Sequence, residues 1–468
     1  MIQLFLKYNP LKFLLIFIIL GLIRGFAYKM SLPLTAPEIT WLLVGERMAD
    51  GFTLYKDIWT DLEPFSALVY YFIDLIVGKS TFAYFILALL LVFVQAIIFT
   101  NGLNSNKVFK EATHLPALFY VLFSSLFFDF YTLSPMLLGM TFILVSFNMI
   151  CYQSRVMTGE ERFFYIGLLT GIASLFYLPF VIFLIFALAA LGLYSNTTIK
   201  KQMIMVLAFF FPYIILLIYY FWIDNLSNYY AFVFLSVLNS APNFMIDFLT
   251  ILKLLILPLL LLLLAVGAIA SRGKYIHYQY KIIKIVGIAL LMGLLALFIE
   301  KLITPNVLFI FVPPLAFFTT HLFLLISKKK ISSEVLFFVM FGGILLISFY
   351  AIKKPDPYTV THLIKKSPEH LDKLAIKNKR ILVIGDKKEY YIKNSLSTPY
   401  ENWKLSAWQF SDLRKYENIS AIYEVLEQGK PEYIFDQEKK MIELSNVIPM
   451  LKKNYQLIDT SGIYQRKL

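Results

Sequence analysis

Apolar runs long enough, or nearly long enough, to cross a bilayer recur along the first three quarters of this chain, and they restrict what it can fold into. In lipid no water is available to the backbone, so a spanning segment must satisfy its own N–H and C=O groups, which a helix does. The runs fall at residues 11–27, 81–100, 115–128, 135–151, 163–176, 178–193, 203–222, 249–270, 285–298, 307–326 and 335–352. Since ~20 residues at ~1.5 Å rise cross a hydrocarbon core, they predict an α-helical polytopic membrane protein with about eleven transmembrane helices, several of them short. The pair between 163 and 193 could equally form one re-entrant unit. Composition agrees, with 59% hydrophobic and 16% charged residues and a mean hydropathy of +0.71, outside the usual soluble mixture.

The formal net charge of +13 points to anchoring and orientation rather than to nucleic acid, because much of the excess sits in short loops between the apolar runs. Counting loops alternately, one side carries Lys107 and Lys110, Arg155 and Arg162, Lys200 and Lys201, Arg272 and Lys274, and Lys328 to Lys330, together with Lys7 and Lys12. By the positive-inside rule this is the cytoplasmic side of a cell inner membrane. Lys7 and Lys12 before an apolar run imitate a signal peptide, but no small-x-small cleavage site follows Phe26, so a retained first helix is expected. Cys151 is the single cysteine, which allows no intramolecular disulfide.

Two regions are expected outside the cytoplasm. The domain boundary falls at 352/353: residues 1–352 read as the transmembrane domain, including an outer loop at 29–72, and 353–468 as a soluble extracytoplasmic α/β domain. In the latter, RILVIGD at 380–386 reads as a buried strand ending in a Gly-Asp turn and PEYIFD at 431–436 as a second. Residues 411–429 have helical spacing with Ser411 as a candidate N-cap. RILVIGD lacks the glycine-rich continuation of a dinucleotide site, and the five histidines show no ligand spacing.

The outer loop concentrates the chemistry. Residues 35–51 read as a short amphipathic helix in the interface, with Trp41, Leu42, Val44 and Met48 toward the membrane. Glu38 in its first turn is either the acid of a capping box with Thr35 or a general base that takes a proton from a hydroxyl. Tyr55, Lys56, Asp57, Asp61 and Glu63 follow within nine residues; they could bind a divalent cation, orient sugar hydroxyls, or form an ordinary solvated loop. Trp59, Tyr70 and Tyr71 offer flat faces to a sugar ring, or an interfacial aromatic belt. Arg24, Lys56 and Lys301 are cations that could hold an anionic lipid-phosphate leaving group, or snorkelling anchors; for Lys301 a pair with Glu300 is a further reading.

The order of these features resembles the GT-C superfamily of membrane glycosyltransferases, most closely the bacterial relatives of protein O-mannosyltransferases and aminoarabinose transferases. The matching pieces are Pro37-Glu38, the GFTLYKD run at 51–57, Glu63-Pro64, Leu133-Ser134-Pro135, TPNVLFIFVPP at 304–314, and ILVIGDKKEYY and STPYENW in the tail. The family commonly opens the loop with two adjacent acids; here Pro37 stands at the first and Glu38 is the surviving one. The resemblance implies an inverting transfer of a sugar from a polyprenyl-phosphate carrier to a glycan, lipid or protein acceptor outside the cytoplasm. Glu38 and, behind it, Asp57 would be the catalytic acids. Arg24, Tyr55, Lys56, Asp61, Glu63 and Lys301 would bind substrate. A non-catalytic relative acting as a membrane scaffold or glycolipid-binding subunit is the alternative, favoured by the missing acid; a transporter would show broken helices near the midplane or internal symmetry, and the sequence shows neither.

Overall fold

The structure is a computed structural model that describes residues 1–156, 159–195, 197–236, 243–244, 248–300, 302–353, 363–364, 376–459 and 462–467. The chain forms two compact units. The first comprises residues 1–32, 82–218 and 241–361, and the second 33–81, 219–240 and 362–468. This partition differs from a boundary at 352/353, because the outer loop groups with the C-terminal segment.

Each of the eleven apolar runs overlaps a helix of the structure, 115–128 only in its first part. Among the described residues seven helices are long and apolar enough by themselves to cross a membrane: Thr81–Ser105, Pro135–Arg155, Ile199–Trp222, Thr250–Arg272, His277–Ala296, Pro305–Ile326 and Lys330–Lys353. The first unit also contains Lys12–Lys29 and the shorter helices Leu115–Phe123, Glu161–Phe176 and Ile182–Tyr194. The last two are separate helices, broken at the extended residue Tyr177, whose hydroxyl donates to Glu300. Outward apolar side chains such as Leu14, Ile18, Leu22 and Phe26 on one face of Lys12–Lys29 suit contact with lipid tails.

Two local sequences shape this unit. Gly167 and Gly171 stand four apart on one helix face, where an added Cβ would lie 2.0 Å from the Met205 carbonyl oxygen and 2.3 Å from that of Phe209. Only glycine allows the two backbones this close, the small-xxx-small packing of membrane helices. The expected span at 115–128 is corrected: its helix stops at Phe123. The hydroxyls of Ser124 and Ser125 both bond back to the Val121 carbonyl at 2.8 Å, which competes with the helical ladder. Phe127 is then extended and a short 3-10 turn, Phe128–Tyr131, follows, so a buried helix ends inside the unit.

The strands, in chain order, are β1 (Leu34–Thr35), β2 (Asn243–Phe244), β3 (Leu302–Ile303), β4 (Leu363–Ile364), β5 (Arg380–Ile384), β6 (Ser395–Leu396), β7 (Tyr433–Asp436), β8 (Tyr455–Asp459) and β9 (Ile463–Arg466). In the second unit β6-β5-β7-β9-β8 form one sheet, with β5 parallel to β6 and β7, and β9 antiparallel to β7 and β8. Because β5 is apolar at successive positions, both of its faces need cover. Leu382 and Ile384 pack with Phe410, Ile422 and Leu426 of the helices Trp403–Ser411 and Tyr416–Gly429. Ile381 and Val383, pointing the other way, pack with Ile39 and Leu43. The helix Ala36–Ala49 therefore supplies the second covering layer of the sheet.

That packing corrects the interfacial reading of residues 35–51. Trp41, Leu42 and Val44 are buried in protein, and Trp41 stacks on Tyr70 with centroids 5.9 Å apart. The helix Pro64–Val77 instead presents exposed Leu68, Phe72, Leu75, Ile76 and Val77. Ser411 is likewise not the cap of a 411–429 helix; it ends Trp403–Ser411, and Lys415 precedes the next helix.

Candidate functional site

Glu38 owes its setting to three residues before it. Thr35 ends β1, which pairs antiparallel with β4 through Leu34↔Ile364 and Thr35↔Leu363. Its Oγ1 accepts the Glu38 N–H at 3.3 Å and so caps the helix. Pro37 suits a first helical turn, where its missing N–H costs nothing and its fixed φ is already helical. Proline at this position thus sharpens the helix start. Glu38 is 7% exposed and sits in the first turn, where the helix dipole favours a carboxylate.

The second acidic stretch is a folded loop. Asp57 Oδ2 accepts the Thr53 N–H at 2.9 Å while the Asp57 N–H returns to the Thr53 carbonyl at 2.9 Å. Tyr55 adopts φ +66, an uncommon conformation for a bulky residue that surrounding packing must impose. Its ring is fully buried, 5.5 Å from those of Tyr220 and Tyr229, and its hydroxyl donates to the Leu62 carbonyl at 2.6 Å. Burial first, then the neighbouring tyrosines, pushes its pKa well above the ordinary value, so it stays a neutral donor. Asn225 Nδ2 donates to the Leu54 carbonyl at 2.8 Å. Lys56 is exposed, and Asp61 and Glu63 are partly exposed.

Among the described residues three hydrogen bonds join this loop to the segment after β6. The Trp59 N–H donates to the Pro399 carbonyl at 2.8 Å and the Asn402 N–H to the Trp59 carbonyl at 3.2 Å. Asn402 Nδ2 reaches Asp61 Oδ1 at 3.2 Å. Glu38, Tyr55, Lys56, Asp57, Asp61 and Glu63 accordingly belong to one unit. Lys301 lies outside the described residues. Among the described residues no group of three or more His, Cys, Asp or Glu could hold a metal ion.

Arg24 belongs to the first unit and is fully buried. Its Nη2 donates to the Ser124 carbonyl at 3.0 Å, at the end of the interrupted helix, and its guanidinium lies 4.9 Å from the Tyr131 ring centroid. Nε and Nη1 have no hydrogen-bond partner among the described residues. The negative end of a helix dipole meets a cation here.

Several charged residues escaped the sequence reading. Arg47 is 3% exposed, lies 3.4 Å over Phe52, and is held down to about 10 by burial and then by Arg380. Lys79 Nζ joins Glu46 Oε2 at 3.2 Å to the carbonyls of Tyr391 and Asn394 at 3.0 and 2.8 Å. Lys388 and Glu401 form a pair at 2.6 Å. The usable signal was position: Lys388 and Glu401 follow the carboxyl ends of parallel strands, where open α/β sheets place functional groups.

No protein-family model and no curated protein matches the chain. The fold is nevertheless shared with solved structures. The crystal structure of ArnT from Cupriavidus metallidurans, bound to undecaprenyl phosphate, superposes at a TM-score of 0.58 and 9% identity, covering 98% of each chain. The archaeal oligosaccharyltransferase AglB from Archaeoglobus fulgidus, in complex with an inhibitory peptide and a dolichol-phosphate, gives 0.52 at 10% identity, covering 98% of this chain and 75% of its own.

Proposed function

We propose that this protein transfers a sugar, with inversion, from a polyprenyl-phosphate carrier to an acceptor hydroxyl outside the cytoplasm. The observation that carries the reading is the end-to-end fold likeness to a transferase bound to undecaprenyl phosphate. In this reading the Glu38 carboxylate accepts the acceptor's proton as its oxygen attacks the anomeric carbon. The bond to the carrier phosphate breaks with its electron pair staying on phosphate. Lys56, exposed in the loop that follows the Glu38 helix, stabilises that developing charge. Asp61 and Glu63 orient hydroxyls, while Asp57 and Tyr55 hold the loop in shape. The charge alternation supports a cytoplasmic N-terminus and an extracytoplasmic second unit.

Pro37 in place of an acid, together with the structural bonds of Asp57, favours a second reading, a glycolipid-binding subunit without catalysis. Both readings need the lipid phosphate. Purified protein in nanodiscs should bind undecaprenyl phosphate, and Lys56→Ala should weaken it by about ten- to a hundred-fold, the value of a charge-assisted phosphate contact. A parent protein that does not bind the lipid phosphate overturns both.

A further inference from the structure

Lys388 opens the turn Lys388–Tyr391 just past β5, and Glu401 lies in the loop past neighbouring β6. The Glu401 side chain is fully buried and that of Lys388 is 15% exposed, with Nζ 2.6 Å from Oε1. Lys388 Nζ also donates to Thr40 Oγ1, and the Thr40 hydroxyl donates to the Ala36 carbonyl at 3.4 Å. A continuous line of donors and acceptors thus runs from a buried carboxylate into the turn that carries Glu38. Glu401 Oε2 and Thr398 Oγ1 have no hydrogen-bond partner among the described residues.

A buried ion pair is a poor way to stabilise a fold, because apolar packing of the same volume usually does as well or better. Its value lies in fixing geometry, and what this pair fixes is the start of the helix Ala36–Ala49. Apolar contacts through Ile39 and Leu43 seat the helix on the sheet, and Glu46 ties its far end to Lys79. The Lys388 contact to Thr40 adds a polar anchor next to the first turn, one residue beyond Ile39.

We infer that Lys388, held by Glu401, is a positioning residue that fixes the first helical turn and with it the Glu38 carboxylate. The inference rests on the reading of Glu38 as the base. The test uses the full-length protein in nanodiscs and compares the parent with Lys388→Met, Thr40→Val and Thr40→Ser. Amide hydrogen exchange at residues 36–40 should rise about tenfold in Lys388→Met and Thr40→Val with the rest of the unit unchanged, the loss of one charge-assisted bond. Turnover, read as undecaprenyl phosphate released from a polyprenyl-phosphate sugar, should fall in kcat by a similar factor at unchanged KM. Thr40→Ser, which keeps the hydroxyl, should recover most of what Thr40→Val loses. Unchanged exchange at 36–40, or exchange that rises equally throughout the unit, overturns the inference, as does raised exchange with intact kcat. A parent that turns over no such donor overturns the functional reading instead, and the exchange arm still decides whether Lys388 fixes the turn.

Discussion

Arg24 of the first unit is held differently from two part-buried lysines of the second, although the second unit's buried Arg47, like Arg24, lies over an aromatic ring. In the first, Arg24 is held by one main-chain carbonyl and an aromatic ring. In the second, Lys79 and Lys388 each meet a carboxylate, Glu46 and Glu401, at 3.2 and 2.6 Å. The difference follows from solvent. Among apolar helices a second full charge would cost more to bury than it returns, and an interrupted helix end supplies a partial negative charge already in place. In the α/β unit the carboxylate partners come from distant segments, so pairing them tethers those segments together.

The sharpest way to break this comparison is to remove each cation. Arg24→Met should be the more damaging, by about 2–4 kcal/mol, because it leaves the Ser124 carbonyl buried and unpaired and forfeits the ring contact. Lys79→Met should cost about 1–2 kcal/mol, less because its side chain is 20% exposed and water can reach the groups it leaves. Melting of the purified variants ranks the two; the reverse order would show that the interrupted helix end does not depend on Arg24.

A smaller effect sharpens the second half of the comparison. Burial, then Glu46 and Asp50, raises the Asp74 carboxyl above its ordinary pKa, against a weaker pull downward from Lys79. A folded pKa above the unfolded one means the folded state takes up its proton first, so stability rises as pH falls through the window just above the ordinary carboxylate range. Asp74→Asn should remove that slope and slightly raise the melting temperature at neutral pH. A slope that persists in the variant would place its origin elsewhere.

Hydropathy made the first unit largely legible, because a helix in lipid needs an apolar run and little else. It failed where side chains redirect the backbone, as Ser124 and Ser125 do, and it passed over Gly167 and Gly171, whose four-residue spacing was readable. The second unit was harder. RILVIGD announced an interior strand, but an apolar run at 381–384 also states that both faces are covered, and nothing local says that residues 36–49 provide one cover. Trp41, Leu42 and Val44 look the same whether they face lipid or a sheet. Glu38 and the 55–63 cluster were visible as acids near a predicted interface. Arg47, Lys79, Lys388 and Glu401 were not, since their roles depend on partners up to 348 residues away, as Lys388 is from Thr40.

The central claim is that Glu38, capped by Thr35 and seated on the sheet, is the base of a glycosyl transfer. Glu38→Gln keeps the shape and the capped turn while removing the proton acceptor, so transfer from a polyprenyl-phosphate sugar should fall by about a hundredfold or more, with donor binding and melting temperature close to the parent's. Transfer at the parent's rate, accompanied by a stability loss of about 1 kcal/mol, would contradict the claim and leave Glu38 as part of the helix cap.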